Sequence, residues 1–223
     1  MVMENQNLVN DFGAGVADLT SRHDGKALYN YTPRVELQHH IRIADAEAKL
    51  RAGLQYYLGE KYQWLPAYDK VVEWLTDNKG RGLLCQGSCG LGKTVICQYI
   101  IPVLINRYAR KVPNCYTAID MTQKFDTIQD KCGALLFIDD IGTEPVEVNI
   151  YGNRHIPFNE IVDSCERKGG LLVVTTNIRT TRATDPTTGL SIPSIQERYG
   201  LRTLDRLRAI TKVIVFEGKS MRG

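Results

Sequence analysis

The chain has 223 residues, 43% hydrophobic and 24% charged, which is enough for one α/β domain with a buried core and a modest extension. No apolar run approaches the roughly 18 residues of a membrane helix, and the polar N-terminus (Met1 to Asn7) lacks the basic-then-apolar pattern of a secretory signal, so a cytoplasmic location without a membrane partner is expected. The net charge of +3 is unevenly spread, with six Lys/Arg against eight Asp/Glu in residues 1 to 60 and nine against four in residues 178 to 223, so a basic C-terminal region is either a solvated surface or a face for phosphates.

Residues 1 to about 33 mix Asn, Asp, Gly, Thr and Ser with few regularly spaced apolar positions, and are expected to form an irregular arm. From Val35 to Leu58 the apolar positions Val35, Ile41, Ala44, Ala48, Leu50, Leu54 and Leu58 are roughly helix-spaced. This helix either packs on the rest of the chain or serves a partner. Residues 1 to 60 are therefore set apart from a domain spanning 61 to 223. In that domain the pattern predicts a helix over 67–76, a short apolar strand over 82–86, and a helix over 93–110 interrupted or bent at Pro102. A strand over 114–119, a short helix over 121–131 and an apolar strand over 134–139 follow. Next come a helix over 157–167 closed by Gly169-Gly170, a strand over 171–176, a helix over 192–208 and a strand over 212–216. Continuous apolar strands alternating with helices indicate a parallel sheet covered on both faces. The six cysteines form no Cys-x-x-Cys pair and have no neighbouring histidines, so they are expected as reduced, mostly buried thiols.

Gly87-Ser88-Cys89-Gly90-Leu91-Gly92-Lys93-Thr94 matches G-x-x-x-x-G-K-[ST] in full, directly after a predicted strand and opening a predicted helix. Glycines let the backbone wrap phosphates, and the exposed N–H groups with the helix N-terminus supply positive potential. Lys93 is expected to reach the β- and γ-phosphates of a nucleoside triphosphate, and the Thr94 hydroxyl to ligate Mg²⁺. The strand Leu135 to Ile138 ends in Asp139-Asp140. Adjacent carboxylates at a buried strand tip are costly unless they are used, because an unpaired buried charge is expensive. Asp139 is expected to hold magnesium and Asp140 to polarise the attacking water, with Glu144 as the alternative base. The neighbouring strand runs into Thr175-Thr176-Asn177. Asn177 can both donate and accept hydrogen bonds, which suits a residue that senses water or the γ-phosphate.

With these elements in place the chain resembles an AAA+ ATPase, and more narrowly the bacterial replicative helicase loaders of the DnaC type and the related IstB-like transposition ATPases. The resemblance covers about residues 60 to 222. It rests on the phosphate loop, Phe137-Ile138-Asp139-Asp140-Ile141-Gly142, Phe158 to Asp163, Thr175-Thr176-Asn177, Glu197-Arg198-Tyr199-Gly200, Leu204 to Arg208, and Gly218 to Arg222. It implies a three-layer αβα sandwich on a mostly parallel five-stranded sheet, with ATP and Mg²⁺ as cofactors. It further implies Asn177 at the sensor 1 position and Arg206 as an arginine finger reaching a neighbouring subunit. Arg222 falls at the sensor 2 position, contacting nucleotide in its own subunit. Guanidinium suits both tasks because it stays charged and grips phosphate oxygens with a fixed fork. Arg198, Arg202 and Arg208 are expected on a surface or facing DNA.

Two departures stand out. Residues 1 to 58 match no helicase-docking domain, and the interval Met121 to Gly133, with Lys124 and Lys131 as its basic residues, is shorter than in loaders. The implied function is a helicase-loader-like ATPase acting in DNA replication. Its implied partners are a replicative helicase, single-stranded DNA and further copies of itself in an ATP-dependent homo-oligomer. The alternatives are a transposition helper ATPase and a nucleotide-dependent binding module with little turnover.

Overall fold

A computed structural model describes residues 39–59, 62–180, 183–184, 191–192 and 194–221. The expected irregular arm, and residues 35–38 of the predicted first helix, lie outside the described residues. In chain order the elements begin with α1 (Ala46–Leu58), α2 (Pro66–Thr76) and β1 (Gly82–Gly87). The helix α3 follows as three continuous pieces, Val95–Ile100, Ile101–Leu104 and Ile105–Ala109. Then come β2 (Asn114–Thr117), α4 (Ala118–Gln123), α5 (Phe125–Asp130), β3 (Leu135–Ile141), β4 (Val148–Ile150), β5 (Asn153–His155), α6 (Pro157–Lys168) and β6 (Leu171–Thr176). Two short strands, β7 (Ala183–Thr184) and β8 (Ser191–Ile192), precede α7 (Ile195–Tyr199), α8 (Leu201–Ile210) and β9 (Thr211–Phe216).

The main sheet has the order β2-β3-β6-β1-β9, and every pairing in it is parallel. This is the expected five-stranded sheet. Side chains alternate across a strand with period two, and the core divides accordingly. Leu83, Cys85, Leu135, Phe137, Leu171, Val173, Ile214 and Phe216 face α1, α2 and α3. Leu84, Leu136, Ile138, Leu172 and Val174 face the helices α4 to α8. Both faces are apolar, which is why the strands read as unbroken hydrophobic runs rather than alternating ones. Because the five strands are parallel, the carboxyl ends of β1, β3 and β6 reach one edge, the edge where open α/β sheets take ligands.

The compact unit runs from Glu36 to Gly223, so α1, grouped from sequence with residues 1 to 60, is built into this core. Leu50 and Leu54 are fully buried in it. Gly53 lets α1 approach α3, since a methyl group there would meet Ile100 Cγ2 at 2.6 Å. The helix is shorter than its spacing predicts. Residues 39–43 are not helical: Ile41 N–H donates to Asn78 Oδ1 (2.8 Å) and Ile43 N–H to the Leu75 carbonyl (2.9 Å). Asp45, at φ 49°, turns the chain into the helix.

Pro102 does not interrupt α3. Its missing N–H and its ring are absorbed by widened turns on either side, where for example the Ile101 N–H reaches back five residues to the Ile96 carbonyl. The strand predicted over 114–119 stops at Thr117, which caps α4. The Thr117 hydroxyl accepts from the Asp120 N–H while the Asp120 carboxylate accepts from the Thr117 N–H. The predicted helix over 121–131 is two helices, and the predicted final helix over 192–208 is also two. The latter starts at a Ser194/Glu197 capping box and breaks at Gly200, φ 88°. Four cysteines (Cys85, Cys97, Cys132 and Cys165) are buried, Cys89 and Cys115 are exposed, and none is in a disulfide.

Candidate functional site

The phosphate loop joins the end of β1 to α3, and its shape needs its glycines. Gly90 (φ 80°) and Gly92 (φ 78°) adopt a backbone that side chains disfavour, and a methyl group on Gly92 would meet the Tyr68 hydroxyl at 2.8 Å. That hydroxyl bonds to the Leu91 carbonyl (3.1 Å), and the Met221 N–H donates to the Gly90 carbonyl (3.0 Å). The segment after β9 and the helix α2 thus brace the loop from two sides. Burial pushes the Tyr68 phenol up to about 12, so it remains a donor across the neutral range.

Lys93 turns its ammonium back into the loop. Nζ donates to the Gly87 carbonyl (2.7 Å), the Ser88 carbonyl (2.8 Å) and Asn177 Oδ1 (2.9 Å). Burial is the largest influence on this ammonium and lowers its pKa. The nearby Cys89 and Asp140 act in the opposite direction. Asn177 in turn donates from Nδ2 to Asp140 Oδ1 (3.1 Å). The loop lysine, the polar tip of β6 and the second acid of β3 therefore form one hydrogen-bonded chain.

The two acids owe their position to a bulge in β3. Ile138 pairs with Val174 and Ile141 with Thr176, so the intervening stretch of β3 carries one residue more than β6 does. Asp140 sits in it at φ 61°. Thr175 stitches the bulge, its hydroxyl donating to Asp139 Oδ1 (2.5 Å) and accepting from the Asp140 N–H (2.9 Å). Thr94 donates to the same Asp139 oxygen (3.1 Å). Asp139 is buried behind these hydroxyls, whereas Asp140 reaches the cleft.

One cleft is lined by Cys89, Gly90, Leu91, Gly92, Lys93, Thr94, Asp140, Thr175 and Asn177, with Leu58, Val95 and Met221 supplying an apolar side. Gly87 and Ser88 serve it from behind through the carbonyls that hold Lys93. Thr175 and Leu58 were not singled out from sequence. A threonine near a strand end carries no signal by itself, and Leu58 looks like an ordinary helix residue.

Two expected site residues lie elsewhere, and a third falls outside the described residues. Glu144, the alternative base, is buried and fully occupied: Oε2 accepts from the Gly142 N–H (2.8 Å) and Oε1 from the Tyr199 hydroxyl. Burial, and then Glu144 itself, push the Tyr199 phenol well above its ordinary range. Glu144 is thus a structural clamp between the β3 tip and α7. Arg206 is on α8, paired with Asp163 and with Glu166 (3.3 Å) of α6, outside the lining of the cleft. Arg222 lies outside the described residues, although Met221 just before it lines the cleft. Arg198, expected on a surface or facing DNA, is half-buried and donates to the Glu144 carbonyl and to the Tyr199 hydroxyl (3.0 Å).

No family model matches the chain. No curated protein matches it either. Among solved structures, the crystal structure of the DnaC helicase loader is similar with a TM-score of 0.51 at 15% identity, covering 77% of this chain and 99% of that one. The crystal structure of DnaI aligns with a TM-score of 0.46 at 17% identity, over 86% of this chain and 95% of that one. AMPPCP-bound DnaA from Aquifex aeolicus aligns with a TM-score of 0.41 at 14% identity, over 86% and 53%. With the sheet order and the phosphate loop described above, the chain has a three-layer αβα fold on a five-stranded parallel sheet, similar in structure to the DnaC helicase loader.

Proposed function

We propose that this chain binds and hydrolyses MgATP and works as a helicase-loader-like assembly factor in DNA replication, forming ATP-dependent oligomers that act with a replicative helicase on single-stranded DNA. The observation that carries the reading is the connected set Lys93–Asn177–Asp140 beside Thr94–Asp139–Thr175, gathered at one cleft. The fold likeness to a helicase loader supports the choice of process.

Each residue's task follows from its contacts. The acceptors on Lys93 are all neutral, so its charge is free to meet phosphate oxygens. Leu58, Val95 and Met221 offer an apolar wall for the base. Thr94 Oγ1 and Asp139 Oδ1, 3.1 Å apart, are hard oxygen donors at the loop, and they fit an ion that keeps most of its waters and takes only one or two protein oxygens. When bound there, Mg²⁺ supplies charge neutralisation at the phosphate oxygens. Asp140, with one carboxylate oxygen held by Asn177, accepts the proton of the attacking water. Arg206 serves the cleft of a neighbouring subunit, and Arg222 the nucleotide of its own.

The test is nucleotide binding and turnover, with and without single-stranded DNA, alongside capture of a hexameric replicative helicase. Lys93→Ala is expected to lose tight MgATP binding with the fold intact. A variant that binds ATP within a few-fold of the parent removes this cleft as the nucleotide site. Turnover without helicase capture removes the loader assignment and leaves the transposition reading.

A further inference from the structure

The helices α1 and α3 leave a groove of about 440 Å³ between them. Its walls are aromatic. Tyr56 and Tyr57 of α1 and Tyr108 of α3 line it, with Tyr99 against Tyr57 at a ring distance of 5.6 Å. All four rings are open to solvent, Tyr56 by 83% and Tyr99 by 50%. Four exposed tyrosines in one place are a large apolar surface to leave in water, and none of them belongs to the buried core.

Among the residues lining the groove, the charged ones have one sign. Lys49 and Arg107 line the groove, with the Lys49 ammonium 4.2 Å from the Tyr108 ring centre. Arg110 and Lys111 follow directly, and no Asp or Glu occurs from Thr94 to Lys111. On α1 the acid within one turn of Lys49 and Arg51 is Glu47, already paired with Arg51 (2.8 Å). Flat exposed rings flanked by cations match a polyanion with flat apolar faces. Single-stranded nucleic acid has both, whereas a duplex hides its base faces in its own stack.

We infer that the groove between α1 and α3 is a stacking platform for single-stranded nucleic acid, with bases on Tyr56 and Tyr99 and phosphates on Lys49 and Arg107. This rests on the proposal that the chain handles single-stranded DNA, and it locates that binding away from both the basic C-terminal region and the interval 121–133. One helix then joins the two ligands, because α3 opens at the phosphate loop and carries Tyr99, Arg107 and Tyr108 along its length.

The experiment is fluorescence anisotropy with a labelled oligothymidylate of about 16 nucleotides, with MgATP binding measured on every variant. Tyr56→Ala with Tyr99→Ala is expected to weaken binding tenfold or more, by roughly the loss of one or two stacked bases. Tyr56→Phe with Tyr99→Phe should hold it within about twofold, since the ring face is what binds. Lys49→Gln and Arg107→Gln should each lower the slope of affinity against salt by about one. A duplex of equal length should compete poorly. MgATP binding should be unchanged throughout, because none of these residues lines the cleft. If the parent binds MgATP but no oligothymidylate, the single-strand part of the proposed function fails. If the parent binds and the alanine variant binds equally well, that reading stands and the platform is wrong. Loss of self-association in the alanine variant, with oligothymidylate affinity kept, assigns the groove to a second copy and likewise overturns the inference.

Discussion

Two cations in this molecule sit in opposite electrostatic settings. Lys93 is held by two backbone carbonyls and one amide oxygen, all uncharged. Arg206 is held by two carboxylates, Asp163 and Glu166. Neutral acceptors orient a charge without cancelling it, so Lys93 waits for an anion within its own chain. Carboxylates do cancel it, so Arg206 must give up its ion pairs before it can serve a phosphate elsewhere. The proposed nucleotide cleft is therefore assembled by folding alone, whereas the proposed finger needs a second event, the approach of another subunit. The two settings predict that binding and turnover can be separated in this fold.

The largest expected effect tests that second event. Arg206→Ala should bind MgATP as the parent does and lose turnover by about 10³-fold, the scale of an arginine finger. Mixing it with Lys93→Ala should restore activity at junctions where an intact cleft meets an intact finger. If no mixture exceeds the sum of its parts and Arg206→Ala alone is fully active, Arg206 is only the tie between α6 and α8. Next in size is Asp140→Asn, expected to keep binding and to lower hydrolysis about 10²-fold. Normal hydrolysis by that variant removes Asp140 as the base, and Glu144, already bonded to Gly142 and Tyr199, is no ready substitute.

A smaller effect is expected at the stitch between the acids. Thr175→Val preserves shape but removes the donor to Asp139 and the acceptor for the Asp140 N–H. It should lower turnover by about tenfold and stability by about 1–3 kcal/mol, the scale for a buried group left without its partner. Thr175→Ser should recover most of both in a urea melt and a steady-state assay. The smallest effect lies far from the cleft. Thr117→Ala should cost about 1 kcal/mol as a lost helix cap. Its partner Asp120 is held down to about 2, first by Lys124 and then by the Thr117 N–H and hydroxyl. A depressed carboxylate stabilises above its unfolded pKa of about 3.9 and loses that contribution as pH falls towards 2. The Thr117→Ala deficit should accordingly be present at neutral pH and shrink across that window.

How much of this was legible in the sequence depended on distance along the chain. The phosphate loop could be read whole because strand, loop and helix are contiguous, and each glycine has a local reason. The parallel sheet was legible because strands buried on both faces are apolar throughout. The bulge in β3 was not, because it is defined against β6 and fixed by a hydroxyl 36 residues beyond Asp139. Glu144 read as a spare acid because its partner, Tyr199, lies 55 residues away. The β4–β5 hairpin was missed because its turn, Tyr151-Gly152, puts a tyrosine at φ 51° where Asn or Asp is the usual signal. The break in the last helix was written plainly in Gly200, but the helical spacing on either side masks it.

The cysteines, described above only as free thiols, have a practical consequence for reagent chemistry. Cys85 and Cys97 are buried with sulfurs 3.6 Å apart, and the hydrogen bond that Cys97 donates to Cys85, followed by burial, pushes the Cys97 thiol far up. Such a thiol stays protonated and unreactive. Cys132 and Cys165 are likewise enclosed, and partial burial pushes the exposed Cys115 up as well. That leaves Cys89 and Cys115 as the exposed sulfurs, and of the two Cys89, on the loop, lines the cleft. The folded chain thus carries an intrinsic label site where the phosphates are proposed to lie. The rate of its alkylation, with and without nucleotide, reads occupancy of the loop without any engineered probe.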